Sequence, residues 1–180
     1  MEHIERTGRK LVYKGTILDI YEDDIKSPTG HTAKWDFISH KGAAAVVPVM
    51  DDGKILMVRQ YRNALDRFTL EIPAGALDYV GEPKIECAAR ELEEETGYRS
   101  DHLEWLINVN TTVAFCNELI GIYVATDLIP SAQHLDEDEF VEVLAFTPEE
   151  LCGKIFSGEI TDGKTIAAIM AYLQKTSHRL

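Results

Sequence analysis

The sequence has few cysteines, few basic residues and no long apolar run, and each shortage narrows what the chain can be. Its three cysteines, Cys87, Cys116 and Cys152, form no C-x-x-C pair and stand too far apart for a metal knuckle. An odd number without a disulfide framework reads as reduced thiols. Lys and Arg total 18 against 31 Asp and Glu, for a formal net charge of −13. Binding to a phosphate backbone is driven by Lys and Arg displacing counterions, so neither nucleic acid nor an anionic membrane surface is an expected partner. The longest near-continuous apolar stretch, residues 43–50, falls far short of the roughly 20 residues that a membrane-spanning helix needs. No basic segment followed by an apolar one opens the chain, which points to the cytoplasm. Twelve glycines and six prolines are too few for a low-complexity or collagen-like chain. What remains is 45% apolar residues over 180 positions, enough for one well-cored domain.

Residues 1–40 read as a strand-rich segment with a turn at Ser27-Pro-Thr-Gly30, where proline sets φ and glycine tolerates its positive values. Its apolar content is low for a core of its own, so it is expected to pack on the main domain or on a partner chain. Residues 41–180 carry the stronger signals. The run at residues 44–50 suits a strand buried on both faces. Asp51-Asp-Gly53 is expected to turn it into a hairpin with a return strand over residues 54–62. Residues 69–73 lean to β structure, and residues 103–108 and 119–126 are further strands. Helices are expected over residues 83–96, about 148–156 and about 165–175. The first opens on Pro83, ends before Gly97 and places Ile85, Ala88, Ala89 and Leu92 on one stripe. Strands and helices interleave with hairpins between some strands, which predicts a mixed sheet in an α/β fold.

The informative segment is Arg90-Glu-Leu-Glu-Glu-Glu-Thr-Gly97 in that first helix. Glu91, Glu94 and Glu95 project from neighbouring helical positions, and Arg90 is spaced to pair with Glu94. Like charges so placed repel unless a cation sits among them, and carboxylate oxygens are the ligands that hard divalent ions prefer. A solvated acidic face is the competing reading, because glutamate is common on helix surfaces. The surroundings are more constrained than a glutamate run: a loop from Gly75 leads to Glu82 at the helix start.

From Gly75 to Tyr98 the sequence resembles the signature box of the Nudix hydrolases. Glu82, Arg90, Glu91, Leu92, Glu94, Glu95, Gly97 and Tyr98 stand in register with it, and six residues rather than five separate Gly75 from Glu82. The resemblance implies a Nudix-type α/β/α sandwich around a mixed β-sheet. It also implies Mg²⁺, with Mn²⁺ able to take its place. Glu91 and Glu95 would be principal metal ligands, Glu94 a secondary catalytic carboxylate, and the carbonyl of Ala74 a further ligand. Arg90 would orient the glutamates.

Outside the box, the segments Val58-Arg-Gln-Tyr-Arg62 and Leu70-Glu-Ile-Pro-Ala-Gly75 are similar to the ADP-ribose pyrophosphatase branch of that family. By that similarity Arg62 contacts substrate phosphate, for which a bidentate guanidinium is well suited; a surface ion pair is the plainer alternative. In the acidic stretch His134–Glu142, the resemblance places a metal ligand on Glu139 and a general base on Glu137, with Asp138 the other candidate for these roles and a solvated acidic loop the plainer alternative. The loop at residues 111–118 keeps Phe115 and Glu118 of the branch, with Glu118 expected at the substrate, but has Val113 and Ala114 where the branch has proline and glycine. Trp35 and Tyr21 are of the right type to stack on a nucleobase. The branch also implies a homodimer through the N-terminal strands. The expected activity is cleavage of ADP-ribose or a related nucleoside diphosphate sugar to a nucleoside monophosphate and a sugar phosphate. GDP-mannose or another nucleoside diphosphate compound is the alternative within enzymes, and an ADP-ribose sensor without turnover the alternative outside them.

Overall fold

The computed structural model describes residues 2–16, 18–135 and 140–177. The chain forms two compact units: Met1–Gly42 with Asn110–Glu118, and Ala43–Val109 with Leu119–Leu180.

In the first unit, β1 (Glu5–Lys14), β2 (Asp19–Lys26) and β3 (Thr32–Ser39) form an antiparallel sheet in that order. The turn between β2 and β3 closes where composition predicts: Ser27 N–H donates to His31 O and Gly30 sits at φ +87°. Apolar burial is sparse here, and charge pairing does much of the cross-strand work. Arg9 makes two 2.6 Å bonds to the buried carboxylate of Asp23, and its guanidinium lies 3.7 Å from the centroid of the Phe37 ring. The distant segment 110–118 joins this unit at β3, where Ile38 N–H donates to Phe115 O and Asn117 N–H donates to Ile38 O.

The second unit is organised by β4 (Ala43–Pro48), buried at every position. Its alternate side chains serve two cores, as a period of two requires. Ala44 and Val46 face α1 (Lys84–Thr96) through Cys87, Ala88 and Leu92. Ala43, Ala45 and Val47 face a larger cluster that includes Leu151 of α2 (Pro148–Phe156) and Ala168 and Ile169 of α3 (Gly163–Ser177). Helices therefore cover both sides of a mixed sheet. In that sheet β4 pairs in parallel with β10 (Leu119–Thr126) and antiparallel with β7 (Ala74–Ala76), and β9 (His102–Asn110) lies beyond β10.

One expectation is corrected. The turn at residues 51–53 exists, with Gly53 at φ +82° and paired Met50–Gly53 and Met50–Lys54 backbone bonds. The strands it joins do not form a hairpin ladder, however, and touch only at a single Val49–Ile55 bridge. Both edges of β4 are taken by β10 and β7, so β5 (Ile55–Arg62) pairs instead with β6 (Arg67–Glu71) and β12 (Val141–Phe146) in a second sheet. A short pair, β8 (Tyr98–Arg99) and β11 (Ile129–Pro130), completes the strands.

The helices begin and end close to where their signals stand. Gly97 ends α1 in the left-handed conformation at φ +71°, its N–H returning to Glu93 O. Thr147 and Glu150 form a reciprocal capping box at the start of α2. No helix among the described residues is long and apolar enough to cross a membrane.

Candidate active site

The inner face of α1 places Glu91 and Glu95 against the segment that carries β7. Both are buried, at 7% and 3% exposure. Glu95 Oε2 accepts the backbone N–H of Ala74 at 3.0 Å. The carboxylate of Glu91 lies over Gly75, so closely that a Cβ there would sit 2.1 Å from Glu91 Oε1. A side chain at position 75 would therefore have to displace that carboxylate, while the backbone torsion there is not one that favours glycine. Glu94 is on the outer side of this pair, its side chain 37% exposed.

Arg90 ties the group together. Its Nη1 donates to Glu91 Oε1 at 2.7 Å and, at the predicted i, i+4 spacing, to Glu94 Oε2 at 2.9 Å. Nη2 reaches Ala76 O at 3.2 Å and lies 3.5 Å from Asp78 Oδ1. Burial works against the guanidinium charge, but Glu91 and Glu94 outweigh it and raise the Arg90 pKa. The loop with the extra residue is closed by Glu82, whose Oε2 accepts the N–H of Asp78 at 2.7 Å while its own N–H donates to Tyr79 O. The insertion is absorbed outward: Val80 is 83% exposed and Gly81 takes φ +93°. Burial, helped by the Glu91 charge, pushes the thiol of Cys87, beside Gly75 and Ala76, up to about 12.

Arg62, at the end of β5, forms a two-point pair with Glu71 of β6: Nε to Oε1 at 2.8 Å and Nη2 to Oε2 at 2.7 Å. Its side chain stays 42% exposed, and the charge of Glu95 is among those that raise its pKa, after Glu71 itself. Sequence reading passed over Glu71. A lone carboxylate between Leu70 and Ile72, in a stretch otherwise suited to burial, was the available signal.

Arg62, Ala74, Glu91, Glu94 and Glu95 all belong to the second unit, and Trp35 and Glu118 to the first. Trp35 lines a groove of about 650 Å³ with Ile20, Lys34, Ile38, Ala114 and Phe115. Tyr21, by contrast, packs against Phe37 at 6.1 Å between centroids, near Arg9. Glu118 accepts from Thr111 Oγ1 at 2.6 Å and lies 3.5 Å from His40 Nδ1. Glu137, Asp138 and Glu139 lie outside the described residues.

Among the described residues no three Asp, Glu, His or Cys side chains are gathered as a finished metal cluster. Glu91 and Glu95 nonetheless present hard oxygen donors one helical turn apart, and the missing Cβ of Gly75 makes the room that a carboxylate seated there needs. A divalent ion fits that donor chemistry, with the rest of its shell open to water and substrate oxygens.

The NUDIX domain profile matches residues 39–169. A Bacillus subtilis protein named ADP-ribose pyrophosphatase is 40% identical over 169 residues, covering 93% of this chain and 90% of its own. A Bacillus methanolicus protein named methanol dehydrogenase activator is 41% identical over 165 residues, covering 91% and 88%. The crystal structure of an ADP compounds hydrolase superposes with a TM-score of 0.88 over 99% of this chain and 97% of its own, at 19% identity, a likeness of fold.

Proposed function

The chain belongs to the Nudix family, and on that premise we propose that it is a divalent-metal-dependent pyrophosphohydrolase acting on ADP-ribose or a closely related nucleoside diphosphate sugar. The observation that carries the reading is the burial of Glu91 and Glu95 side by side against Ala74 and Gly75, under the grip of Arg90. Two buried carboxylates one turn apart are costly unless positive charge reaches them, and a divalent ion held between them would supply it.

Bound there, Mg²⁺ or Mn²⁺ would neutralise the diphosphate and acidify a coordinated water. The chain's own residues supply the rest. Glu91 and Glu95 hold the ion, with Glu139 and the Ala74 carbonyl completing the protein ligands. Arg90 fixes the rotamers of Glu91 and Glu94, so that the donors are in place before substrate arrives. Arg62 presents its remaining donors to a phosphate. Glu137, in the acidic segment that follows the β8–β11 pair, takes the proton of the attacking water. Trp35, in its groove, offers a face for the base, and Glu118 a polar contact at the same unit. Residues 1–40 act as a dimerisation segment and 41–180 as the hydrolase domain; the assembly is a homodimer in the cytoplasm.

Release of AMP from ADP-ribose, with and without Mg²⁺ and beside UDP-sugars and GDP-mannose, tests the reading. The expected result is Mg²⁺-dependent turnover with the highest kcat/KM on ADP-ribose. Tight ADP-ribose binding without turnover would replace the enzyme by a sensor. The relative named for activating a dehydrogenase supports a second reading at equal similarity. Stimulation of an alcohol dehydrogenase by a chain inert toward every free nucleotide sugar would favour that one.

A further inference from the structure

We infer that Lys164 and Glu71 are positioning residues for Arg62, Glu71 fixing the direction of its guanidinium and Lys164 keeping the pair from being electrically neutral toward an anionic substrate. The inference rests on the functional reading above and deepens it at the phosphate-binding side.

Glu71 is buried at 3% exposure and both its oxygens are saturated. Oε1 accepts from Arg62 Nε at 2.8 Å and Thr69 Oγ1 at 2.6 Å; Oε2 accepts from Arg62 Nη2 at 2.7 Å and from Lys164 Nζ. The pairing occupies Nε and Nη2 of Arg62 and leaves Nη1 without a hydrogen-bond partner among the described residues. A guanidinium held by two of its donors has lost its rotamer freedom before ligand binds, so less ordering is needed on binding.

An Arg–Glu pair alone carries no net charge and would attract a diphosphate weakly. Lys164 supplies the second positive charge on the same carboxylate, its side chain only 11% exposed. Asp162 is the counterweight: its Oδ2 lies 3.0 Å from Lys164 Nζ. That carboxylate also takes Thr165 N–H at 3.0 Å and Thr165 Oγ1 at 2.6 Å at the start of α3, where the helix end itself carries partial positive charge. The four side chains balance formally, two positive against two negative, so the helix end tips the cluster positive, and without Lys164 the cluster would be net negative.

The same cluster reaches the metal side through the backbone. Thr165 Oγ1 accepts the N–H of Ile72 at 3.0 Å, and two residues on, Ala74 N–H holds Glu95. Arg62, Glu71, Asp162 and Lys164 line one open cavity of about 360 Å³ with Thr69 and Gly163, which gives a ligand access to the exposed side of Arg62.

The test compares KM and kcat for ADP-ribose in the parent, Lys164→Met, Lys164→Arg, Arg62→Ala and the Arg62→Ala/Lys164→Met double variant. Affinity for the non-hydrolysable α,β-methylene analogue and Tm are measured alongside. Lys164→Met is expected to raise KM and weaken analogue binding about tenfold, the scale of one charge-assisted contact, with a smaller change in kcat. Lys164→Arg is expected to restore most of the binding, and Lys164→Met to add nothing once Arg62 is alanine. An equal effect of Lys164→Met with and without Arg62, or a fall in Tm with KM unmoved, would overturn the inference. A parent that neither turns over nor binds would overturn the functional reading itself, and the two failures are distinct.

Discussion

At the scale of single residues, a tight constraint in the second unit is the close approach of the Glu91 carboxylate to Gly75. A methyl group at position 75 would overlap the Glu91 carboxylate at 2.1 to 2.5 Å, so Gly75→Ala must push that side chain aside. The backbone there pairs normally, Ala44 with Gly75, and the three atoms nearest to the added one all belong to that carboxylate. Gly75→Ala is therefore expected to reduce kcat/KM by at least about a hundredfold, the scale of misplacing a catalytic group by an ångström, with a change in Tm of only a few degrees. Steady-state kinetics beside thermal melts check it; retained activity would mean that the Glu91 position is not used. The sequence spacing pointed to Glu91, Glu94 and Glu95 as one flank. Burial divides them, because α1 turns Glu91 and Glu95 toward β7 and leaves Glu94 with Arg90 at the rim. A 3.6-residue period shows which side chains are neighbours, but not which of them meet the sheet.

At the scale of elements, Glu71 joins β5, β6 and α3 through Arg62, Thr69 and Lys164. Burial alone would raise its carboxyl pKa, but the hydrogen bonds and charges of Arg62 and Lys164 overcome that and lower it from its ordinary 4.5 to about 2. A carboxylate depressed in the fold adds stability above its unfolded pKa and loses it as pH falls toward the folded one. Its contribution amounts to roughly 3 kcal/mol when complete. Glu71→Gln is thus expected to lower Tm at neutral pH, with the gap to the parent narrowing between about pH 5 and pH 2. Melting curves across that range decide it, and a constant gap would place the effect in packing rather than charge. Elements with local punctuation were legible in advance: Pro83 and Gly97 bracket α1, and Pro148 opens α2. Strand partners were not. Asp51-Asp-Gly53 announces a turn, yet whether β5 then follows β4 depends on β10 and β7, which arrive from elsewhere in the chain.

At the scale of the whole molecule, the pattern is an acidic chain of net charge −13 that buries several carboxylates, Glu71, Glu82, Glu91 and Glu95, in one unit. Arg62 and Lys164 compensate Glu71, and Arg90 compensates Glu91. The assignment of segment 110–118 to the first unit could not be read from periodicity, since it depends on backbone bonds between Ile38 and residues about 80 positions away. The family resemblance, by contrast, was legible in full, because eight spaced residues from Glu82 to Tyr98 stand on one helix and its flanks, where spacing survives folding unchanged. The account as a whole depends on Glu91 and Glu95 holding a divalent ion against a diphosphate. The most direct measurement is Mg²⁺-dependent release of AMP from ADP-ribose by the parent and by Glu95→Gln, with Tm recorded for both. The account predicts a loss of about a hundredfold or more in kcat at a nearly unchanged Tm; turnover by Glu95→Gln within a few-fold of the parent at equal Mg²⁺ would contradict it.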